Sequence, residues 1–327
     1  MNQLVDGVWT KGSIGASRKE GAYRRQNAGF RNWCTPDGAP GLSGQGGFQA
    51  ESGRYHLYVS YACPWAHRTL IFRELKGLAP HVGVSVVHPV MGNEGWTFAT
   101  DFDGATGDPL FRAEYLRDIY LRADPQMTGK VTVPLLWDKQ RNTVVSNESS
   151  EIIRMFDSAF DALTGNDVRF WPEDLRPEIE AVNERVYPDF NNGVYRAGFA
   201  ATQAAYDEAV GPVFATMAWA DDILSRSRYL AGDRLTEADW RMFTSAVRFD
   251  TVYHTHFKCN RRWLRDYPSL WAWTRELYQM PGIAPTVRQD HITHHYYRSH
   301  PDLNPHGLIP INPVIDWDAP HGRGSAA

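Results

Sequence analysis

The sequence has 327 residues, 43% of them hydrophobic, enough for two domains of ordinary size. A formal net charge of −4 argues against a general nucleic-acid binder, which would carry a basic surplus or a basic stripe. The start, MNQLVDGVWTKG, lacks a charged region followed by an apolar one, and no window approaches eighteen uninterrupted apolar residues, so neither secretion nor a membrane span is expected.

Residues 1–50 are rich in Gly, Pro, Asn and Ser and show no sustained periodicity, which predicts a long extension lying over the protein or partly mobile. No Gly-Lys-Ser/Thr follows its glycines, so they do not form a phosphate loop. From Arg54 the pattern sharpens. YHLYVS reads as a strand, PWAHRTLIFRELKGL as a helix with apolar Leu70, Ile71, Leu75 and Leu78, and VGVSVVHPV as a second strand. This β-α-β order implies a parallel pair with a right-handed crossover. A loop and a helix follow, then PLLWD and TVVS as two short strands joined by a polar turn, then a helix from near Asn147. The order β-α-β-α-β-β-α over residues 51–157 is that of an α/β thioredoxin-like domain.

Residues 158–175, with Gly165 and Pro172, read as a linker. Beyond it strand signals nearly vanish, and residues 176–300 are expected to form an all-α helical bundle, with 301–327 as a C-terminal extension. Thr236 and Asp239 have the spacing of an N-cap and its N3 acid, a capping box with Asp for Glu.

The cysteines Cys34, Cys63 and Cys259 are odd in number and far apart, which is not a disulfide scaffold, and a reducing cytoplasm fits them. There the sequon at Asn147–Ser149 would be accidental. Cys63 falls where the first strand meets the first helix. A helix N-terminus lowers a thiol's pKa through its amide donors and positive dipole end, and Pro64 suits the first helical position. Cys34 and Cys259 have no such context and read as small buried hydrophobes. Three residues beyond Cys63, where a dithiol motif would repeat the cysteine, stands Ala66. A mixed disulfide at Cys63 must then be resolved by a thiol from solution, and the abundant cytosolic thiol is glutathione.

Thr132-Val133-Pro134 opens the third strand, where a proline's missing N–H harms no ladder. Glu148 and Ser149 open a helix whose amides could bind a carboxylate, although an ordinary helix cap reads the same. In this order after Cys63 the two signals are specific. With them the chain resembles the glutathione transferases, most closely the xi class, the glutathionyl-hydroquinone reductases. The resemblance runs through FRNW, YHLYVSYACPWAHRTL, GWTF, VTVPLLWDK, SNESSEIIRMF, NNGVYRAGFA, LTEADWR, VRFDTVYHTHFKC, YQMPGIAPTV and HYYRSH, in the family's order.

The resemblance implies a thioredoxin-like domain followed by a helical bundle, with glutathione as co-substrate and no metal. In the implied cycle Cys63 attacks the sulfur of a glutathionyl-hydroquinone, the hydroquinone leaves, and a second glutathione releases glutathione disulfide. It places Trp96, Lys130, Val133 and Pro134 at the glutathione site, with Val133 as the backbone partner and Lys130 where the family usually has Arg. Lys keeps a carboxylate contact but not a bidentate one. Glu148 and Ser149 correspond to the pair that holds the γ-glutamyl end. Tyr195 takes the position expected to move a proton at the hydroquinone oxygen, while Tyr253 and Tyr296 match tyrosines of the aromatic pocket near the thiol. A homodimer is a family expectation.

The histidines His291, His294, His295 and His300 invite a metal site, but no cysteine or acidic pair completes a set, and polar contacts around the pocket are the stronger reading. Two rival functions remain. An omega-like thioltransferase or dehydroascorbate reductase would use the same cysteine, and a non-catalytic glutathione-binding protein would need no activated thiol.

Overall fold

The computed structural model describes residues 2–12 and 18–324. The chain divides into two compact units: Met1–Ala16, Arg25–Arg169 and Asp290–Ser299 form one, and Ser17–Arg24, Phe170–Gln289 and His300–Ala327 form the other.

The first unit begins with a hairpin of β1 (Gln3–Val5) and β2 (Val8–Thr10). Its turn is Asp6-Gly7, both at positive φ, the type I′ geometry that matches strand twist. Gly7 is required twice over, because a Cβ there would lie 2.1 Å from the Pro125 carbonyl oxygen. Leu4 exchanges backbone hydrogen bonds with Gly129, which fixes the hairpin to the segment that carries Lys130.

The central sheet has the order β6 (Val82–Val86), β5 (Tyr55–Val59), β7 (Leu135–Asp138), β8 (Thr143–Ser146). β5 pairs parallel to β6 and antiparallel to β7, and β7 pairs antiparallel to β8. Every residue of β5 is buried, as expected of a strand paired on both edges and covered on both faces. Helices α1 (Pro64–Leu75), α2 (Leu116–Ala123) and α3 (Ser149–Ser158) complete the predicted order, with α1 packed on α3.

Helix α1 stops because Gly77 takes φ +65°: its N–H donates to the Glu74 carbonyl and that of Leu78 to Arg73, a Schellman closure. The edge of the sheet is not bare. Arg31 bridges to Ser146, the Asn32 N–H donates to Val145, and Arg31 forms an ion pair with Glu151. The FRNW segment thus lies along β8 like a short added strand, satisfying groups that would otherwise be exposed.

The second unit is helical apart from a hairpin of two-residue strands, β3 (Arg18–Lys19) and β4 (Ala22–Tyr23), and the irregular residues 300–324. The short α4 (Asp161–Thr164) still belongs to the first unit, and the main elements of the second are α5 (Arg176–Val186), α6 (Gly193–Gly198), α7 (Gln203–Leu224), α8 (Glu237–Arg248) and α9 (Pro268–Gln279). All of α8 is buried, so it is the bundle's central helix. Asp239 accepts from the Thr236 N–H at 3.0 Å, closing the predicted capping box, and also from Leu230 N–H and the Trp273 indole. Residues 300–324 have no regular structure but are anchored: Trp317 packs between Trp271 and Tyr278, and Arg323 and Arg228 both pair with Glu276.

The last helix, α10 (Gln289–Arg298), belongs to the first unit although it follows the bundle in sequence. The sequence placed residues 176–300 together. The helix clusters instead with residues 88–103, through histidine contacts made about two hundred residues apart.

Candidate functional site

Cys63 is the N-cap of α1. Its backbone is extended, with φ −80° and ψ 120°, and its side chain makes no capping hydrogen bond. The turn from β5 is closed by Ser60, whose carbonyl accepts from the Cys63 N–H at 3.2 Å and whose hydroxyl accepts from Ala62. A sulfur at this position faces the positive end of the helix, which favours its thiolate form. Cys63 is half-buried, and its Sγ lies 3.5 Å from the Val133 carbonyl oxygen. The other two thiols are buried and their pKa values are pushed up to about 12, chiefly by that burial. Only one of the three cysteines combines access with a helix start.

The peptide joining Val133 to Pro134 is cis. Among the described residues the Val133 N–H has no protein acceptor, which leaves it available to an extended peptide ligand. Lys130, three residues earlier, is half-buried, and burial followed by the nearby charge of Arg25 lowers its ammonium to about 8. Arg25 itself sits over the Trp65 ring, 4.8 Å from the centroid, two residues from Cys63.

Glu148 is the N-cap of α3, and its carboxylate already accepts from the Ser150 N–H at 3.0 Å and the Ser150 hydroxyl at 2.8 Å. The ordinary-cap reading therefore holds for one of the amides that the sequence left open for a ligand. Ser149 is different: it is buried, and among the described residues neither its N–H nor its hydroxyl finds a protein partner.

Sequence reasoning missed Tyr120 of α2. Its hydroxyl donates to the Thr132 carbonyl at 2.8 Å and accepts from the Asn147 side-chain amide at 3.1 Å, joining the loop before Pro134 to the loop before Glu148. Nothing local marks it, since a buried tyrosine on a short helix reads as packing.

Trp96 is nearly buried and stacks on His295 of α10. Tyr296, on the same helix, is buried. Tyr195 and Tyr253 belong to the other unit, where their rings lie 5.9 Å apart in a nest completed by Phe199 and Phe257. Tyr195 follows a stretch of π-helix at Tyr187–Asn191 and Tyr253 ends another at Phe249–Tyr253, a local widening that often accompanies functional positions. A surface cavity of about 440 Å³ in this unit, lined by Thr202, Gln203, Tyr206, Lys258 and Asn260 among others, contains none of the candidate residues.

The four histidines are spent on structure. His291 donates to the Asp103 carbonyl at 2.7 Å, His294 to Asp290 at 2.8 Å and His295 to Pro89 at 2.9 Å, while His300 bonds His256 within the second unit. Among the described residues no three His, Cys, Asp or Glu side chains converge as a metal site, and no helix is long and apolar enough to cross a membrane.

Two family profiles match the chain: glutathione S-transferase, N-terminal domain, over residues 62–159, and glutathione S-transferase, C-terminal domain, over residues 203–276. The chain is 55% identical to glutathionyl-hydroquinone reductase YqjG of Escherichia coli, over 99% of this chain and 98% of that protein. The glutathione-bound structure of YqjG superposes with a TM-score of 0.92, covering 98% of each chain. The chain is 46% identical to glutathionyl-hydroquinone reductase PcpF of Sphingobium chlorophenolicum, over 96% of this chain and 97% of that protein. A xi-class glutathione transferase from Natrialba magadii is 50% identical with a TM-score of 0.90, covering 99% of this chain and 96% of that one.

Proposed function

Because the chain belongs to the xi-class glutathione transferases, the family of the glutathionyl-hydroquinone reductases, we propose that it reduces glutathionyl-hydroquinones with glutathione through Cys63. The observation that carries the mechanism is the accessible thiol at the start of α1, with Ala66 in place of a second cysteine and both other thiols buried. The Cys63 thiolate attacks the glutathione sulfur, a sulfur–sulfur bond forms, and the carbon–sulfur bond breaks. Its electron pair goes to the ring carbon, which takes up a proton as the hydroquinone is released. A second glutathione, as thiolate, then attacks the mixed disulfide and leaves as glutathione disulfide, restoring the Cys63 thiolate.

In this reading the Val133 backbone pairs with the peptide, and Ser149 and Glu148 hold the γ-glutamyl end. Lys130 meets a carboxylate, and Trp96 packs on the bound glutathione. Tyr195 moves the proton at the hydroquinone oxygen, and Tyr253 and Tyr296 line the aromatic pocket. No metal is required for any step. A cytoplasmic location and a homodimer belong to the same proposal. The reducing compartment supplies the glutathione, and sedimentation of the purified chain tests the dimer.

The test compares kcat/KM on a glutathionyl-hydroquinone and on dehydroascorbate. The conjugate is expected to be the better substrate, and preference for dehydroascorbate would favour the omega-like reading. Wild-type turnover in Cys63→Ser would refute the mechanism, whereas no turnover by the wild-type chain despite glutathione binding would leave a binding protein. Tyr195→Phe is expected to lower turnover with glutathione affinity nearly intact.

A further inference from the structure

We propose that His295 is a positioning residue for glutathione binding: it fixes the plane of the Trp96 indole, and with it the surface presented to the peptide. The inference rests on the reading of Trp96 as a glutathione-site residue. Trp96 lies in the irregular segment between β6 and α2, at the end of a tight turn in which the Gly95 N–H donates to the Gly92 carbonyl. Gly95 takes φ +80°, and a Cβ there would come within 3.0 Å of the Trp9 ring, so the turn is pressed closely against the N-terminal hairpin. The Trp96 carbonyl accepts from the Leu116 N–H at 3.0 Å. These contacts fix the backbone. They leave open the rotation of the indole, which depends on what its face rests upon.

That support is the His295 ring, whose centroid is 4.8 Å away with the planes 19° apart. The imidazole is held in turn. A carbonyl oxygen only accepts, so Nδ1 carries the proton it donates to Pro89 at 2.9 Å, and the edge of Tyr296 packs against the same ring at 5.4 Å. Just past the last residue of α10, the Ser299 hydroxyl accepts from the Met91 N–H at 2.9 Å. The helix and its C-terminal flank therefore clasp the segment at Pro89 and Met91 and supply the platform for Trp96, so segment and ring are placed by one stretch of chain. Trp96 retains only 7% of its exposure, so a small rotation of the indole would change or close the little surface it offers.

The experiment titrates glutathione into the full-length chain by calorimetry and measures turnover of a glutathionyl-hydroquinone. His295→Ala is expected to raise the glutathione Kd by about three- to tenfold, the range that one aromatic pair corresponds to. Its kcat at saturating glutathione should stay within about twofold of wild type, because the thiol chemistry is untouched. His295→Phe keeps a flat ring without the bond to Pro89 and should recover most of the affinity. His295→Asn keeps a donor without the ring and should stay weak. A wild-type Kd in His295→Ala, or full affinity in His295→Asn, would overturn the proposal. If the alanine variant does not fold, weak binding by a folded His295→Phe does so instead. Trp96→Ala separates the two levels: an unchanged Kd there removes Trp96 from the glutathione site, whereas a weakened Kd beside a normal His295→Ala removes only the positioning role.

Discussion

The Tyr120 hydroxyl donates to the carbonyl of Thr132 at 2.8 Å. Because the same oxygen accepts from Asn147, and Asn147 exchanges hydrogen bonds with Phe30, a single phenol links the Pro134 loop, the start of α3 and the FRNW edge. Tyr120→Phe removes the group while leaving a buried carbonyl and amide without it. The expected loss is about 1–3 kcal/mol in unfolding free energy, measured by urea denaturation. Glutathione affinity should fall in parallel, since Val133 and Ser149 stand on the two loops. A variant with unchanged stability and affinity would show that the link does not organise the site.

Alkylation should discriminate sharply among the three thiols. With burial pushing Cys34 and Cys259 up to about 12, neither offers appreciable thiolate or access at neutral pH. Brief treatment with iodoacetamide at pH 7 should add one adduct, located at Cys63 by peptide mass spectrometry. Modification of Cys34 or Cys259 in the native protein at a comparable rate would contradict this.

The proposed contact of Lys130 with a glutathione carboxylate predicts a pH dependence of defined sign. Its ammonium is lowered to about 8, so it is charged below that pH and loses its charge as the pH rises through it. The affinity for S-methylglutathione, which has no thiol to titrate, should therefore weaken between about pH 7 and pH 9. In Lys130→Arg the guanidinium stays charged throughout, and that component of the decline should vanish. Parallel pH profiles for the two proteins would exclude a Lys130 contact with the carboxylate.

In the helical unit, Asp239 accepts from two backbone N–H groups, the Thr236 hydroxyl and the Trp273 indole. Asp239→Ala strands four donors at the buried start of α8. It should cost roughly 3 kcal/mol or more, seen as a fall in the unfolding midpoint. Thr236→Ala removes one donor and should cost about 1 kcal/mol.

Much of the first unit was legible because its signals are local. Strand alternation, the Cys63–Pro64 junction, the proline opening a strand and the Thr236–Asp239 spacing each occupy a few consecutive residues, and all appear where the pattern placed them. The β1–β2 hairpin carried a readable turn signal in Asp6-Gly7, but three-residue strands are too short to show a period. The edge pairing of FRNW had no local sign at all, for the residues that complete it lie more than a hundred positions away.

The sequence by itself determined the order of elements, the single thiol at a helix start and the missing partner at Ala66, because dihedral preference, hydrophobic period and capping act between near neighbours. Tertiary structure alone decided that α10 joins the first unit, that Tyr120 joins the loops before Pro134 and Glu148 and that His295 stacks on Trp96. Those contacts depend on a tyrosine and histidines whose local preferences are nearly neutral, and only the packed fold brings Pro89 within a hydrogen bond of a ring two hundred residues later.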